Sequence, residues 1–222
     1  MAEEYGSSKF YIFGEIQNIN GWEIFVRSML DKGKQFFITG PIASLLSREL
    51  GTRLTGRHIN IELTHFSFTE WLSSSKKERK LQAFDEYFQN GSLPQYLKYG
   101  QNAILQKLLL DVFYRNIVAR HNIRDAKSLQ KLALYLLGNV SNEFSYNSLK
   151  KLFNFRSVNT PISYISYMED SYLFFTVQKF GYSLKKQAVN EKKIYAIDNG
   201  LVLCNFTSLS SDKGRMFENL VI

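Results

Sequence analysis

The 222 residues are 45% hydrophobic and 15% aromatic, enough for one large domain or two small ones and too apolar for a disordered chain. The 28 Lys and Arg exceed the 20 Asp and Glu, a net charge of +8 that suits either a nucleic-acid partner or an ordinary solvated surface. The single Cys204 excludes an internal disulfide, no apolar run is long enough for a membrane span, and Met1–Lys9 has no signal-peptide core, so the expectation is a cytoplasmic protein with no membrane partner.

In chain order, Lys9–Ile16 (KFYIFGEI) reads as a short buried strand. Asn20 is the expected N-cap of a helix that places Trp22, Phe25, Val26, Met29 and Leu30 on one face and ends at Gly33. Gln35–Thr39 is a second strand, Gly40-Pro41 breaks the chain, Ser44–Leu54 is a helix and Ile59–Leu63 a third strand. This alternation implies a parallel sheet with helical crossovers.

Beyond Ser67 helices dominate, at 68–73, 76–89, 101–121 and 126–138, with Gly91-Ser92-Leu93-Pro94 as punctuation. Ser145 then caps a short helix, and Asn159–Glu169 is another with Pro161 in its first turn, where a missing N–H costs nothing. Leu173–Phe180 and Tyr182–Lys186 read as a hairpin around Gly181. Helix, turn, helix, hairpin is winged-helix order. Lys193–Ile197 is one more strand, and the chain stops at Ile222 in what reads as mid-helix.

Several segments together resemble one family. Phe13–Leu30 is similar to a Walker B strand and its following helix. Gln35–Leu72 is similar to the next strand with its "LTGR" and "SFxE" segments. Phe144–Phe175 is similar to a winged helix, and Lys192–Leu201 with Gly214–Ile222 to the opening of a C-terminal domain. The pattern resembles the AAA-like P-loop ATPase family of archaea and bacteria whose C-terminal domain is nuclease-like in shape. The resemblance implies an α/β fold: a partial parallel P-loop-type sheet over 1–67, a helical lid over 68–140, a winged helix over 141–190, and the start of the nuclease-like domain over 191–222.

The family uses ATP and Mg²⁺. Its G-x-x-x-x-G-K-[ST] loop cradles the phosphates, but these 222 residues contain no such motif, and only eight precede the first strand. Gly14 stands where the resemblance puts the metal-holding Asp. Glu15 matches the neighbouring acid that polarises water, Arg57 the "LTGR" arginine that would stabilise phosphoryl charge, and Thr39 a polar strand-end residue facing nucleotide. Each also has a plain structural use: a solvated strand-end carboxylate, a surface arginine, and a hydroxyl bonded to backbone. The expectation is a truncated or degenerate family member that neither binds nor hydrolyses ATP alone.

The winged helix supplies the alternative, a DNA- or protein-binding module. From Ser145 to Lys193 eight basic residues face three acidic ones. Lys179, Lys185 and Lys186 on the wing are the candidates for phosphate contact, whereas Asn159–Glu169 carries no Lys or Arg for reading bases. Packing between domains is the competing use, and self-association is a further possible partnership. Glu218 resembles the first acid of a PD-(D/E)xK-type site, whose remaining acid and lysine would lie downstream. His58, His65, His121 and Cys204 lack ligand spacing, so no metal site is expected.

Overall fold

A computed structural model of the chain describes residues 8–16, 19–40, 56–179, 191–206 and 212–222. It divides into two compact units, Met1–Glu62 and Leu63–Ile222. The expected divisions at 140 and 190 both fall inside the second unit.

In the first unit, β1 (Phe10–Gly14) and β2 (Gln35–Thr39) lie parallel, in register from Phe10↔Gln35 to Gly14↔Thr39. The helix α1 (Trp22–Asp31) connects them and buries Trp22, Val26 and Met29. Side chains alternate across a strand. Phe13, Phe36 and Ile38 pack with Trp22 and Val26, whereas Ile12 and Phe37 on the other face stay 77% and 61% exposed. Asn20 is not the N-cap. Gly21 holds that position with φ of 77°, a left-handed conformation that glycine adopts without steric cost. Gly33 ends the helix as expected, its N–H bonded to Leu30 O.

The expected third strand does not form. Residues 58–64 have no strand structure, and Ile59 and Ile61 are 90% and 81% exposed. A period-2 pattern marks a strand only where a neighbour takes up its backbone groups, and none does so among the described residues. The helix expected at Ser44–Leu54 lies outside the described residues.

The second unit begins with α2 (Phe68–Ser75), closed by a reciprocal capping box between Ser67 and Glu70. The hydrogen bonds from the Ser67 hydroxyl and N–H hold the exposed Glu70 carboxyl below its usual range. There follow α3 (Leu81–Asn90), α4 (Pro94–Tyr99) and α5 (Asn102–Asp111). The helix expected through His121 changes character at Val112 and runs as a π-helix to Ala119. Then come α6 (Ala126–Gly138), β3 (Glu143–Phe144), α7 (Tyr146–Leu152) and α8 (Asn159–Asp170). Ser145 caps α7 as expected, its side chain accepting from Ser148 N–H.

The chain continues as β4 (Phe174–Gln178), β5 (Lys192–Ala196), α9 (Asn199–Leu203) and α10 (Lys213–Val221). The sheet order is β3-β5-β4, antiparallel throughout. The strand expected to open a further domain is therefore the centre of this sheet. It is the partner of β4, pairing Phe174↔Ala196 through Gln178↔Lys192, whereas the expected partner, Tyr182–Lys186, lies outside the described residues. One core links the helices to the sheet. Leu129, Leu132, Leu136, Leu149, Ile165, Met168, Ile194 and Met216 are each at most 1% exposed and share it. Full burial of such a side chain contributes ~1.5–3 kcal/mol.

Candidate functional site

At the carboxyl end of the first sheet, Glu15 follows β1 with φ of 55°, and its N–H donates to Thr39 O at 3.0 Å. Ligands of open α/β sheets bind outside the carboxyl ends of strands, so Glu15 and Thr39 occupy the expected edge together. Gly14 precedes Glu15 and pairs directly with Thr39 across the sheet. A Cβ on Gly14 would come no nearer than 3.7 Å to Thr39 Oγ1, ordinary van der Waals contact, and Gly14 is not among the glycines with positive φ. Glycine here is therefore not forced by space or backbone angle.

Arg57 is placed elsewhere. Its Nη1 lies 2.5 Å from Asp31 Oδ1, at the last residue of α1. That helix runs back from the carboxyl end of β1 towards the amino end of β2, where Gln35 N–H reaches Lys9 O. Asp31 and Arg57 therefore mark the end of the sheet opposite Glu15 and Thr39. Both side chains are half exposed, so the pair contributes about 0–1 kcal/mol. Lys179 is exposed just beyond β4, whereas Lys185 and Lys186 lie outside the described residues.

The second unit holds a buried polar network that sequence reading passed over. Asp198, only 4% exposed, accepts from Ser92 N–H at 2.6 Å, the Ser92 hydroxyl at 3.0 Å and Leu201 N–H at 3.2 Å. Burial pushes its carboxyl above the usual range, against the opposing pull of those donors and of His65. His65 Nδ1 lies 2.7 Å from Ser92 Oγ, and the half-buried imidazole lines a cavity of about 300 Å³ with Leu93, Leu109, Val112, Leu173 and Ile197.

Beside it, Asn219 brackets Ala196, accepting from its N–H at 2.8 Å and donating to its carbonyl at 3.1 Å. Asn199 Nδ2 donates to Met216 O and Phe88 O. The signal for this network was the Asp198-Asn199-Gly200 run, visible in sequence but without its partners.

Glu218 is committed to structure. Its carboxylate accepts from Lys193 Nζ and Tyr195 Oη, both at 2.7 Å, and these bonds hold it below its usual value. Burial, then the bond to Glu218, pushes the Tyr195 hydroxyl well above its ordinary range. Among the described residues no cluster of three or more His, Cys, Asp or Glu is arranged to hold a metal ion, and no helix is long and apolar enough to cross a membrane.

Comparison with known proteins gives two family matches. Residues 81–213 match a family described as a domain of unknown function (DUF8612), and residues 1–72 match an AAA domain. The chain is 34% identical over 237 residues to an uncharacterized protein, MJ1544, of Methanocaldococcus jannaschii, covering 97% of this chain and 52% of that protein. It is 24% identical over 224 residues to an uncharacterized protein of Haemophilus influenzae, covering 96% of this chain and 56% of that one. The chain thus spans about half the length of the curated relatives it matches.

Proposed function

We propose, for a chain that belongs to the DUF8612 family and carries an AAA domain match ahead of it, that it is part of an AAA-like ATP-binding ATPase and does not hydrolyse ATP by itself. The observation that carries this is the strand edge. Glu15 and Thr39 stand side by side at the carboxyl ends of parallel strands, where an AAA nucleotide would lie, with Gly14 paired opposite Thr39. In this reading Glu15 is the water-polarising acid and Thr39 faces nucleotide, whereas Arg57, held by Asp31 at the opposite end of the sheet, takes no part at this edge.

The donors present do not fit a complete Mg²⁺–nucleotide site. Gly14 offers no oxygen to a metal shell, and the 222 residues include no G-x-x-x-x-G-K-[ST] cradle. No hydrolytic step is therefore derived. Titration of the chain with Mg²⁺–ATP is expected to leave its melting temperature unchanged and to release no phosphate. Micromolar Mg²⁺-dependent binding, or turnover above a no-enzyme control, would sink the reading.

A second reading draws on a separate observation. The order α6, β3, α7, α8, β4, β5, with strands arranged β3-β5-β4, supports the winged-helix reading. We infer a binding module whose wing lysines, Lys179, Lys185 and Lys186, meet phosphates. The helix α8 offers little for reading bases. Tyr167 stacks on His121 and Tyr164 packs edge-on to Phe155, which leaves Asn159, Ile162 and Ser166 exposed. Duplex DNA followed by fluorescence anisotropy should therefore bind without sequence preference. Three phosphate contacts correspond to a slope of log K against log salt of about −2.7. Joint replacement of the three lysines by alanine should abolish that binding. No anisotropy change at low salt leaves protein binding or domain packing as the use of this module.

A further inference from the structure

Ser92 stands where three distant stretches of the second unit meet. Its N–H and hydroxyl both donate to Asp198 Oδ2, its Oγ lies 2.7 Å from His65 Nδ1, and its carbonyl accepts from Phe66 N–H at 3.3 Å. A hydroxyl has one proton. With that proton on Asp198, Ser92 Oγ is left to accept from His65 Nδ1–H. Asp198 also accepts from Leu201 N–H, and the adjoining Asn199, bonded to Asn219, belongs to a neighbouring set that reaches Phe88, Ala196 and Met216. The turns around Ser92 and Asp198 have no slack: a Cβ on Gly91 would lie 2.0 Å from Asp198 Oδ1, and one on Gly200 2.2 Å from Asn90 O.

We propose that His65–Ser92–Asp198 is a latch that couples docking of residues 63–66, the stretch by which the first unit continues into the second, to the order of the Asp198–Leu201 turn and of α10 behind it. The case for coupling rests on the shared atom. Ser92 Oγ takes from His65 and gives to Asp198 in a buried setting, where successive hydrogen bonds polarise one another. The close-packed glycines prevent either end from adjusting alone. The coupling is reciprocal: whatever draws His65 off Ser92 loosens the turn, and whatever displaces Asp198 frees residues 63–66. It requires no nucleotide and stands whether or not the ATPase reading does.

Amide hydrogen exchange on the full chain tests it. His65→Ala removes a half-buried ring and leaves the core whole. It is expected to speed exchange of the Ser92, Leu201 and Ala196 amides about tenfold, while Ile165 in the core of α8 keeps its wild-type rate. In the other direction, Asp198→Asn should speed exchange at Phe66 by a similar factor. A change from His65→Ala confined to residues 63–67 overturns the proposal. So does a uniform acceleration that includes Ile165, because it reports general loosening rather than a coupled path.

Discussion

Alanine at position 200 is expected to destabilise the second unit by about 3 kcal/mol or more. Gly200 lies in the first turn of α9, and its added Cβ would sit 2.2 Å from Asn90 O and 2.8 Å from Asn90 C. Both are backbone atoms, so no side chain can swing away to make room. The turn cannot retreat either, because Asp198 and Asn199 on one side and Asn90 and Ser92 on the other are hydrogen-bonded to fixed partners. For a unit of this size the loss corresponds to a melting temperature lower by roughly 6 to 12 °C. Thermal unfolding followed by circular dichroism reads it directly. A melting point within about 2 °C of wild type would show that the approach of the two turns is looser than described.

The second large effect belongs to Asp198. Asp198→Ala leaves the N–H and hydroxyl of Ser92 and the N–H of Leu201 without their shared carboxylate in a buried site, at a cost of about 3–5 kcal/mol. Asp198→Asn keeps the shape and one acceptor oxygen and should cost less, but it adds a discriminating pH signature. Burial raises the folded-state value of the carboxyl above its unfolded value. A group shifted that way contributes stability at acid pH that is lost as pH rises through the folded value. Wild type should therefore gain stability relative to Asp198→Asn as pH is lowered from neutral into the acid range.

The other titratable groups facing Asp198 are His65, Tyr87 and Cys204. Burial pushes the Tyr87 hydroxyl above its usual value and the Cys204 thiol up to about 11, so both stay neutral throughout this range. A His65→Ala background removes the remaining contributor. A wild-type minus Asn difference flat in pH would mean the carboxyl titrates alike folded and unfolded, contrary to its burial.

Local signals in the sequence were sufficient for much of this fold. The apolar spacing of Leu129, Leu132, Leu136 and Leu137 marks α6 over its full length, and Ser145 announces α7. The run FYIFG and the run QFFIT declare β1 and β2 because each carries its own apolar face. Pro94 reads as punctuation, yet it occupies the first turn of α4, where its fixed φ suits a helix start. Ile59–Leu63 had the right alternation but lacks a neighbour among the described residues. Partner choice was the hardest to read. Nothing near Phe174 says that it pairs with Ala196, and nothing near Asp198 says that Ser92, 106 positions earlier, will supply its donors. At the candidate nucleotide edge, by contrast, Glu15, Gly14 and Thr39 were recognisable because each sits at a strand terminus that the strand pattern itself locates.

The π-helical stretch Val112–Ala119 bears on how this family can vary in length. Its i→i+5 hydrogen bonds each enclose one more residue than those of an α-helix. Loss of one residue there would let the chain run on as plain α-helix, with the faces before and after it, Leu105 and Leu109 on one side and the His121 ring stacked on Tyr167 on the other, kept in place. A deletion elsewhere in the helix would instead turn every later side chain by about 100° and pull the stack apart. Single-residue gaps are ordinarily tolerated in surface loops. Here a helix that buries Phe113 and Ile117 offers a place for one as well.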